Sequence, residues 1–208
     1  QMEPITLSYI ITTRNKLSYL KEGIEKLLAH KQPNEEIIVA DGASTDGTKE
    51  FLNTLKQEGK IEYFVSEKDF GEAHGLNKLQ LIARGTLITV ITDDDVFYFP
   101  AIQACKKFML AHPQIDMLGT NGGFKNQNPV NDVRPLVYED NYLSWQKDRT
   151  PFSFCGLGVM IRRSSLPLLG LWDPSFRRAD AEFSLRITSG KANIAWYTGY
   201  SFVNISSP

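Results

Sequence analysis

Hydrophobic positions along the chain follow two periods. Apolar and β-branched runs at 5–11, 36–40, 61–65 and 86–92 predict strands bounded by polar or glycine-containing turns. Between them, helical spacing takes over. Leu17, Leu20, Ile24, Leu27 and Leu28 make one apolar stripe, Phe51, Leu52 and Leu55 a second, and Leu76, Leu79, Ile82 and Ala83 a third. A fourth helix is expected at 99–111 and a strand at 115–118. Residues 121–150 are rich in Asn, Gly, Pro and charge and have no sustained period, which predicts a long loop with short irregular strands. A strand at 154–161, a short helix from Ser164, a helix at 180–189 and strands at 194–197 and 201–205 complete the pattern.

Regular alternation of strand and helix predicts an α/β fold: a mostly parallel central sheet with helices on both faces and a small mixed sheet in the C-terminal half. The 208 residues, 42% of them hydrophobic, fit a single domain over 1–208. Charge changes the picture only by exclusion. The 23 basic residues nearly cancel the 24 acidic ones, so no global field favours nucleic acid. Cys105 and Cys155 have neither zinc-ligand spacing nor the density of a disulfide framework, and a reducing compartment is expected. No apolar run approaches the ~20 residues of a membrane span. A soluble chain without a transmembrane segment is expected, cytoplasmic or at the cytoplasmic face of a membrane.

Ligands of open α/β sheets bind beyond the carboxyl ends of the strands. Three polar segments fall there. Thr92-Asp93-Asp94-Asp95 follows a continuous apolar run, and three adjacent carboxylates repel one another unless a cation or hydrogen-bond donors compensate them. Oxygen-only ligands suit Mg²⁺ or Mn²⁺, held by one or two carboxylates together with substrate phosphates. Asp41, in Asp41-Gly42-Ala43-Ser44-Thr45-Asp46-Gly47-Thr48, is placed to accept a ring N–H of uracil, thymine or guanine. Asp46 is expected to cap the next helix. In Arg177-Arg178-Ala179-Asp180-Ala181-Glu182, acids at a helix start fit the helix dipole as well as catalysis. A carboxylate so placed can also serve as a general base, and Asp180 is the candidate for that role.

Together these residues resemble the family 2 inverting glycosyltransferases with a GT-A (Rossmann-like) fold. Tyr9-Ile10-Ile11-Thr12-Thr13-Arg14-Asn15 is similar to the family's opening strand and nucleotide loop, and Ile38 to Thr48 to its VDDGSTDGT signature. Ser66-Glu67-Lys68-Asp69-Phe70-Gly71, Leu76-Asn77-Lys78 and Ala83-Arg84-Gly85 follow in the order of a stretch that lines the nucleotide pocket in a subgroup. Asp93 and Asp95 match the DxD motif, and Asp180 matches the catalytic aspartate. Ala40, His74 and Ala179 depart from common residues of the pattern, and no histidine follows His112.

The resemblance implies a metal-dependent transfer from a nucleoside-diphosphate sugar, UDP first and dTDP or GDP next, to a hydroxyl of a glycan or lipid-linked acceptor. Residues 1–96 would bind the donor through Thr12, Thr13, Arg14, Asp41, Asp69, Asn77, Asp93 and Asp94, with Asp93 and Asp95 on Mn²⁺ or Mg²⁺. Residues 97–208 would bind the acceptor, with Asp180 as base and Trp172, Arg178 and Glu182 as acceptor contacts. The loop at 121–150 would close over the substrate as a lid. A dinucleotide-dependent oxidoreductase is disfavoured because no GxGxxG follows the first strand, and an aspartyl-nucleophile phosphatase because its acid pair would come early in the chain. A non-catalytic nucleotide-sugar-binding module is the remaining alternative.

Overall fold

The first strand, β1 (Leu7–Thr13), is buried along its length apart from the half-buried Thr12, as expected of a strand covered on both faces. The protein is described by a computed structural model covering residues 3–126 and 132–206. After β1 come α1 (Leu17–His30), β2 (Glu35–Asp41), α2 (Thr48–Gln57), β3 (Tyr63–Ser66), α3 (Glu72–Ile82), β4 (Leu87–Val90), β5 (Val96–Phe97) and α4 (Phe99–Ala111). The second half holds β6 (Met117–Asn126), β7 (Arg134–Leu136), α5 (Glu139–Asp148), β8 (Met160–Arg162), α6 (Leu166–Leu169), α7 (Ala179–Thr188) and β9 (Ile194–Ser206).

The strands form one sheet in the order β3-β2-β1-β4-β8-β6-β9-β5, with β7 on β6. The β3-β2-β1-β4 part is parallel. Antiparallel β8 joins it to the mixed C-terminal part, in which β9 runs parallel to β6 and antiparallel to β5. The expected parallel and mixed parts are thus both present, as one continuous sheet.

Side-chain alternation sorts the core into two layers. Tyr9, Ile11, Ile37 and Val39 face the apolar stripes of α1, α2 and α4. Ile10, Ile38, Ile88 and Val90 face Leu76 and Leu79 of α3, Trp145 of α5 and Phe183 of α7. The carboxyl ends of β1, β2 and β4 consequently open on one side of the molecule.

The expected loop and lid at 121–150 is corrected by the structure. Strand β6 continues to Asn126, and α5 occupies Glu139–Asp148; residues 127–131 lie outside the described part. Glycine at 119 and 122 is a packing requirement: a Cβ on Gly119 would come within 2.2 Å of the Trp196 ring, and one on Gly122 within 2.4 Å of the Phe202 ring. Helix α5 is anchored to the core, so it is no free lid. Trp145 is 3% exposed, and its indole N–H donates to the Thr188 carbonyl at 2.9 Å. Trp145→Ala should therefore cost about 3–5 kcal/mol in denaturant unfolding, whereas a change below ~1 kcal/mol would show that α5 is not held this way.

The strand expected at 154–161 is mostly irregular. The Phe154 N–H and that of Phe152 just before it donate to the side chains of Ser184 and Thr188 on α7, and only Met160–Arg162 joins the sheet. The two strands expected at 194–197 and 201–205 are one strand, β9, whose pairing with β6 shifts register around Asn121.

Candidate active site

Two loops are locked together at the open end of the sheet. The Asn15 N–H donates to Ser44 Oγ at 2.8 Å, and Asn15 Oδ1 accepts the Thr45 N–H at 2.8 Å. Asp46 accepts the Leu17 N–H at the start of α1 (3.0 Å) and the Thr48 N–H and hydroxyl at the start of α2 (3.2 and 2.6 Å). It caps two helices rather than the one expected, and the Thr48 hydroxyl leads the interactions that hold its carboxyl below the usual range. This bracing fixes the turn carrying Thr12, Thr13, Arg14 and Lys16.

Beside that turn is a cleft of about 770 Å³, within the ordinary range for small-molecule sites. Thr12, Thr13, Arg14 and Lys16 form one wall, Asp69 to Ala73 and Leu76 the next, and Asp93 to Asp95 the floor. Cys155 to Leu157, Trp172, Pro174, Phe176 to Asp180 and Asn204 to Ser206 close the far side. The acidic trio and Asp180, distant in sequence, therefore face one volume.

Each member of the trio has its own partner. Asp93 Oδ2 accepts the Thr13 hydroxyl at 2.9 Å. Asp94, expected to bind the donor, pairs with Lys16 at 2.7 Å. Asp95 accepts the Thr92 hydroxyl on one oxygen; on the other it accepts the Ile205 N–H at 2.7 Å and the Asn204 amide at 3.3 Å. These last bonds tie the end of β9 to the trio.

Burial pushes the Asp93 carboxyl up to about 6, against the opposing pull of the Thr13 hydroxyl and with repulsion from Asp94. The Asp95 carboxyl is raised, first by burial. Glu72 is open to the cleft, yet the surrounding walls push its carboxyl up, and Asp93, Asp95, Asp94 and Asp180 add to the shift. The Cys155 thiol, amid Asp180, Asp95 and Glu72, is pushed up to about 12, chiefly by burial, and stays protonated at neutral pH.

The sign of the Asp93 shift gives a prediction. A carboxyl with a folded value of about 6 against an ordinary 3.8 binds its proton more tightly in the fold than in the unfolded chain. Ionisation then destabilises the fold progressively from about pH 4 to pH 6, and the penalty persists above that. Asp93→Asn keeps an acceptor for Thr13 and removes the penalty. Discounted for the solvent that reaches this half-buried group, the ligand-free variant should be more stable by about 1 kcal/mol at pH 7.5 and unchanged at pH 4. Equal stability at both pH values in chemical unfolding would contradict this.

Three expected contacts are engaged elsewhere. Asp41 is 1% exposed; its carboxylate accepts the Ser44 N–H and hydroxyl and the Ser66 hydroxyl, and it does not line the cleft. These bonds hold the turn after β2. Asn77 also lies behind the lining: its amide donates to the Trp172 carbonyl at 2.7 Å and accepts the Trp172 N–H at 2.9 Å. Glu182 pairs with Arg186 at 2.7 Å. Arg186 in turn donates to the Leu169 and Leu171 carbonyls, so Glu182 braces the approach to α7.

Thr12, Thr13, Arg14, Asp69, Asp93, Asp94, Asp95, Trp172, Arg178 and Asp180 do line the cleft. Asp180 is half-buried in the first turn of α7, and Oδ1 accepts the Ala181 N–H at 3.1 Å. Sequence reasoning missed Lys16 and Glu72. Lys16 follows the polar turn after β1 directly, and Glu72 opens α3 after Gly71, so position after a strand was the available signal for both.

An uncharacterized glycosyltransferase of Haemophilus influenzae is 26% identical over 86% of this chain and 70% of its own. Another, from Rickettsia felis, is 34% identical over half of this chain, which spans only 17% of that relative. Among solved structures, S. aureus TarS 1-349 in complex with UDP-GlcNAc has a TM-score of 0.73 at 16% identity, over 98% of this chain and 59% of that one. Mannosyltransferase PcManGT from Pyrobaculum calidifontis, in complex with GDP-Man and Mn2+, has a TM-score of 0.70 at 19% identity, over 99% and 57%. The shared fold is the GT-A fold. Glycosyl transferase family 2 matches residues 8–167, and the chain belongs to that family.

Proposed function

We propose that this chain transfers a sugar, with inversion, from a nucleoside-diphosphate sugar to a hydroxyl of a glycan or lipid-linked acceptor. The observation that carries this reading is the single cleft onto which the acidic trio at the end of β4 and Asp180 at the start of α7 both open. Thr12, Thr13, Arg14 and Asp69 form the donor wall. UDP is the first donor nucleotide, with dTDP and GDP next; UDP-GlcNAc and GDP-Man in the related TarS and PcManGT complexes support a diphosphate-linked sugar.

The donor set fits a divalent ion. Asp93 and Asp95 are clustered carboxylates whose ionised forms are disfavoured by burial and which lie open to the cleft. Among the described residues, no group of three His, Cys, Asp or Glu side chains is placed to hold a metal by itself. Such a pair suits Mn²⁺ or Mg²⁺ in the mode that leaves positions for phosphate oxygens and water. When bound, the ion would neutralise charge developing on the leaving diphosphate.

The chain's own residues supply the rest. Lys16 and Arg14 bring positive charge to the phosphate end of the cleft. Asp180 accepts the proton of the acceptor hydroxyl as that oxygen attacks the anomeric carbon, on the face opposite the diphosphate. Arg177, Arg178 and Phe176 border the approach to Asp180. The test is release of nucleoside diphosphate from UDP-, dTDP- and GDP-sugars with Mn²⁺ and candidate sugar acceptors. Release that depends on both acceptor and metal supports the reading; a bound donor that is never turned over reduces the chain to a binding module.

A further inference from the structure

Three indole N–H groups are present. Trp145 donates to the Thr188 carbonyl at 2.9 Å and Trp196 to Asn121 Oδ1 at 3.0 Å. Trp172 Nε1 is buried and has no hydrogen-bond partner among the described residues, although the residue is 5% exposed and lines the cleft. A buried donor left without an acceptor destabilises the fold, because its bond to water is lost and not replaced. Tryptophan indoles are ordinarily bonded when buried.

The surroundings of Trp172 show which use remains open to it. The indole stacks on Phe183 at 4.0 Å between centroids, so one ring face is unavailable to a sugar. Its Cη2 edge lies against Gly156, where a Cβ would come within 2.9 Å of the ring and 3.3 Å of Asp180 Cβ. Gly156 therefore lets the indole and the proposed base flank one point. The main chain of Trp172 is clasped to α3 by Asn77, and Arg186 holds the Leu169 and Leu171 carbonyls before it. This bracing fixes the indole while the exposed turn at 174–178 continues along the cleft rim.

We propose that Trp172 Nε1 is a hydrogen-bond donor to a hydroxyl of the transferred sugar, and so a specificity residue of the donor site. The proposal rests on the glycosyltransfer reading above. It selects the donor sugar over the acceptor because α3, to which Trp172 is clasped, lines the cleft through Glu72, Ala73 and Leu76 next to the donor wall. The anomeric carbon must lie between the trio and Asp180, within reach of the residue that shares Gly156 with that base. The Trp172 ring adds rigidity through Phe183, and the N–H supplies the polar contact. A site that hydrogen-bonds a hydroxyl rejects sugars lacking it, since its own donor is then left unpaired.

The experiment follows the indole proton signals of ¹⁵N-labelled protein, with Trp172→Phe identifying the Trp172 signal. UDP, UDP-GlcNAc, GDP and GDP-mannose are each added with Mg²⁺, the diamagnetic ion. The expected result is that one nucleotide sugar moves the Trp172 signal downfield while its nucleoside diphosphate alone does not. Trp172→Phe should weaken that nucleotide sugar about tenfold and change affinity for the diphosphate less than twofold. Main-chain signals of Lys16 and Asp95 report donor binding independently. If they move and the Trp172 signal does not, or if it moves with the diphosphate alone or only on adding an acceptor, the proposal is overturned and the donor site stands. If none of the four ligands moves the Lys16 and Asp95 signals, the donor-site reading fails and takes the proposal with it. Should Trp172→Phe not fold, Trp145→Phe and Trp196→Phe identify the other two indole signals, and the shift of the remaining one in the wild type decides.

Discussion

Asp180→Asn should lose glycosyl transfer by about 10²–10⁴-fold while donor affinity stays within about twofold of wild type. The asymmetry follows from position. Asp180 opens α7, in the half of the chain that does not carry Thr12, Thr13 and Arg14, and its Oδ1 accepts the neighbouring Ala181 N–H. An asparagine oxygen keeps that bond and the side-chain volume, so the fold has no reason to change. What disappears is the basic oxygen that takes the acceptor proton. Initial rates of diphosphate release, set beside donor binding by calorimetry, separate the two effects. Normal turnover by the variant would remove Asp180 from the mechanism; loss of donor binding in parallel with turnover would make it a binding residue.

Asp95→Asn should have the opposite signature. It should weaken metal-dependent donor binding by about 100-fold or more, which corresponds to roughly 2.7 kcal/mol, without lowering the stability of the fold. The amide can still accept the Ile205 N–H on its oxygen, and the Thr92 hydroxyl can rotate to accept from its nitrogen. The tether between β4 and the end of β9 is therefore kept, while the anionic metal ligand is lost. Calorimetric titration of donor with Mn²⁺ reads the change. An affinity equal to wild type would show that Asp95 serves only to hold β9.

The first half of the fold was legible because its signals are local and agree. Strands β1, β2 and β4 are buried on both faces and read as apolar runs, and each is followed by a turn whose polar residues have one place to go, the carboxyl edge of the sheet. The second half hides its structure in long-range contacts. Helix α5 carries Tyr142, Leu143 and Trp145 on an otherwise polar sequence, and Leu143 is exposed, which leaves too few inward apolar positions to register as a stripe. In β6, Gly119 and Gly122 look like turn residues, yet they make room for Trp196 and Phe202 from β9.

The site divides in the same way. Chemical type and order identified Asp93, Asp95 and Asp180 as candidates. Which polar groups face ligand and which face protein depends on partners far away in sequence. Asp41 is occupied by Ser44 and Ser66, Asn77 by the Trp172 main chain and Glu182 by Arg186. Conversely, Lys16 gains significance only through its ion pair with Asp94. Trp172 was expected to contact the acceptor; Phe183 covers one of its ring faces, and the indole N–H is without a partner among the described residues.

The central claim is that the cleft holds a nucleoside-diphosphate sugar through a divalent ion at Asp93 and Asp95. The most direct measurement is the thermal stability of the wild-type protein with UDP-, dTDP- and GDP-sugars, each with Mn²⁺ and with chelator. At a ligand concentration about 100 times Kd, one of these donors should raise Tm by roughly 5–10 °C with Mn²⁺ and far less without it. A donor that stabilises equally in chelator, or no stabilisation by any of the three with Mn²⁺, would contradict the account.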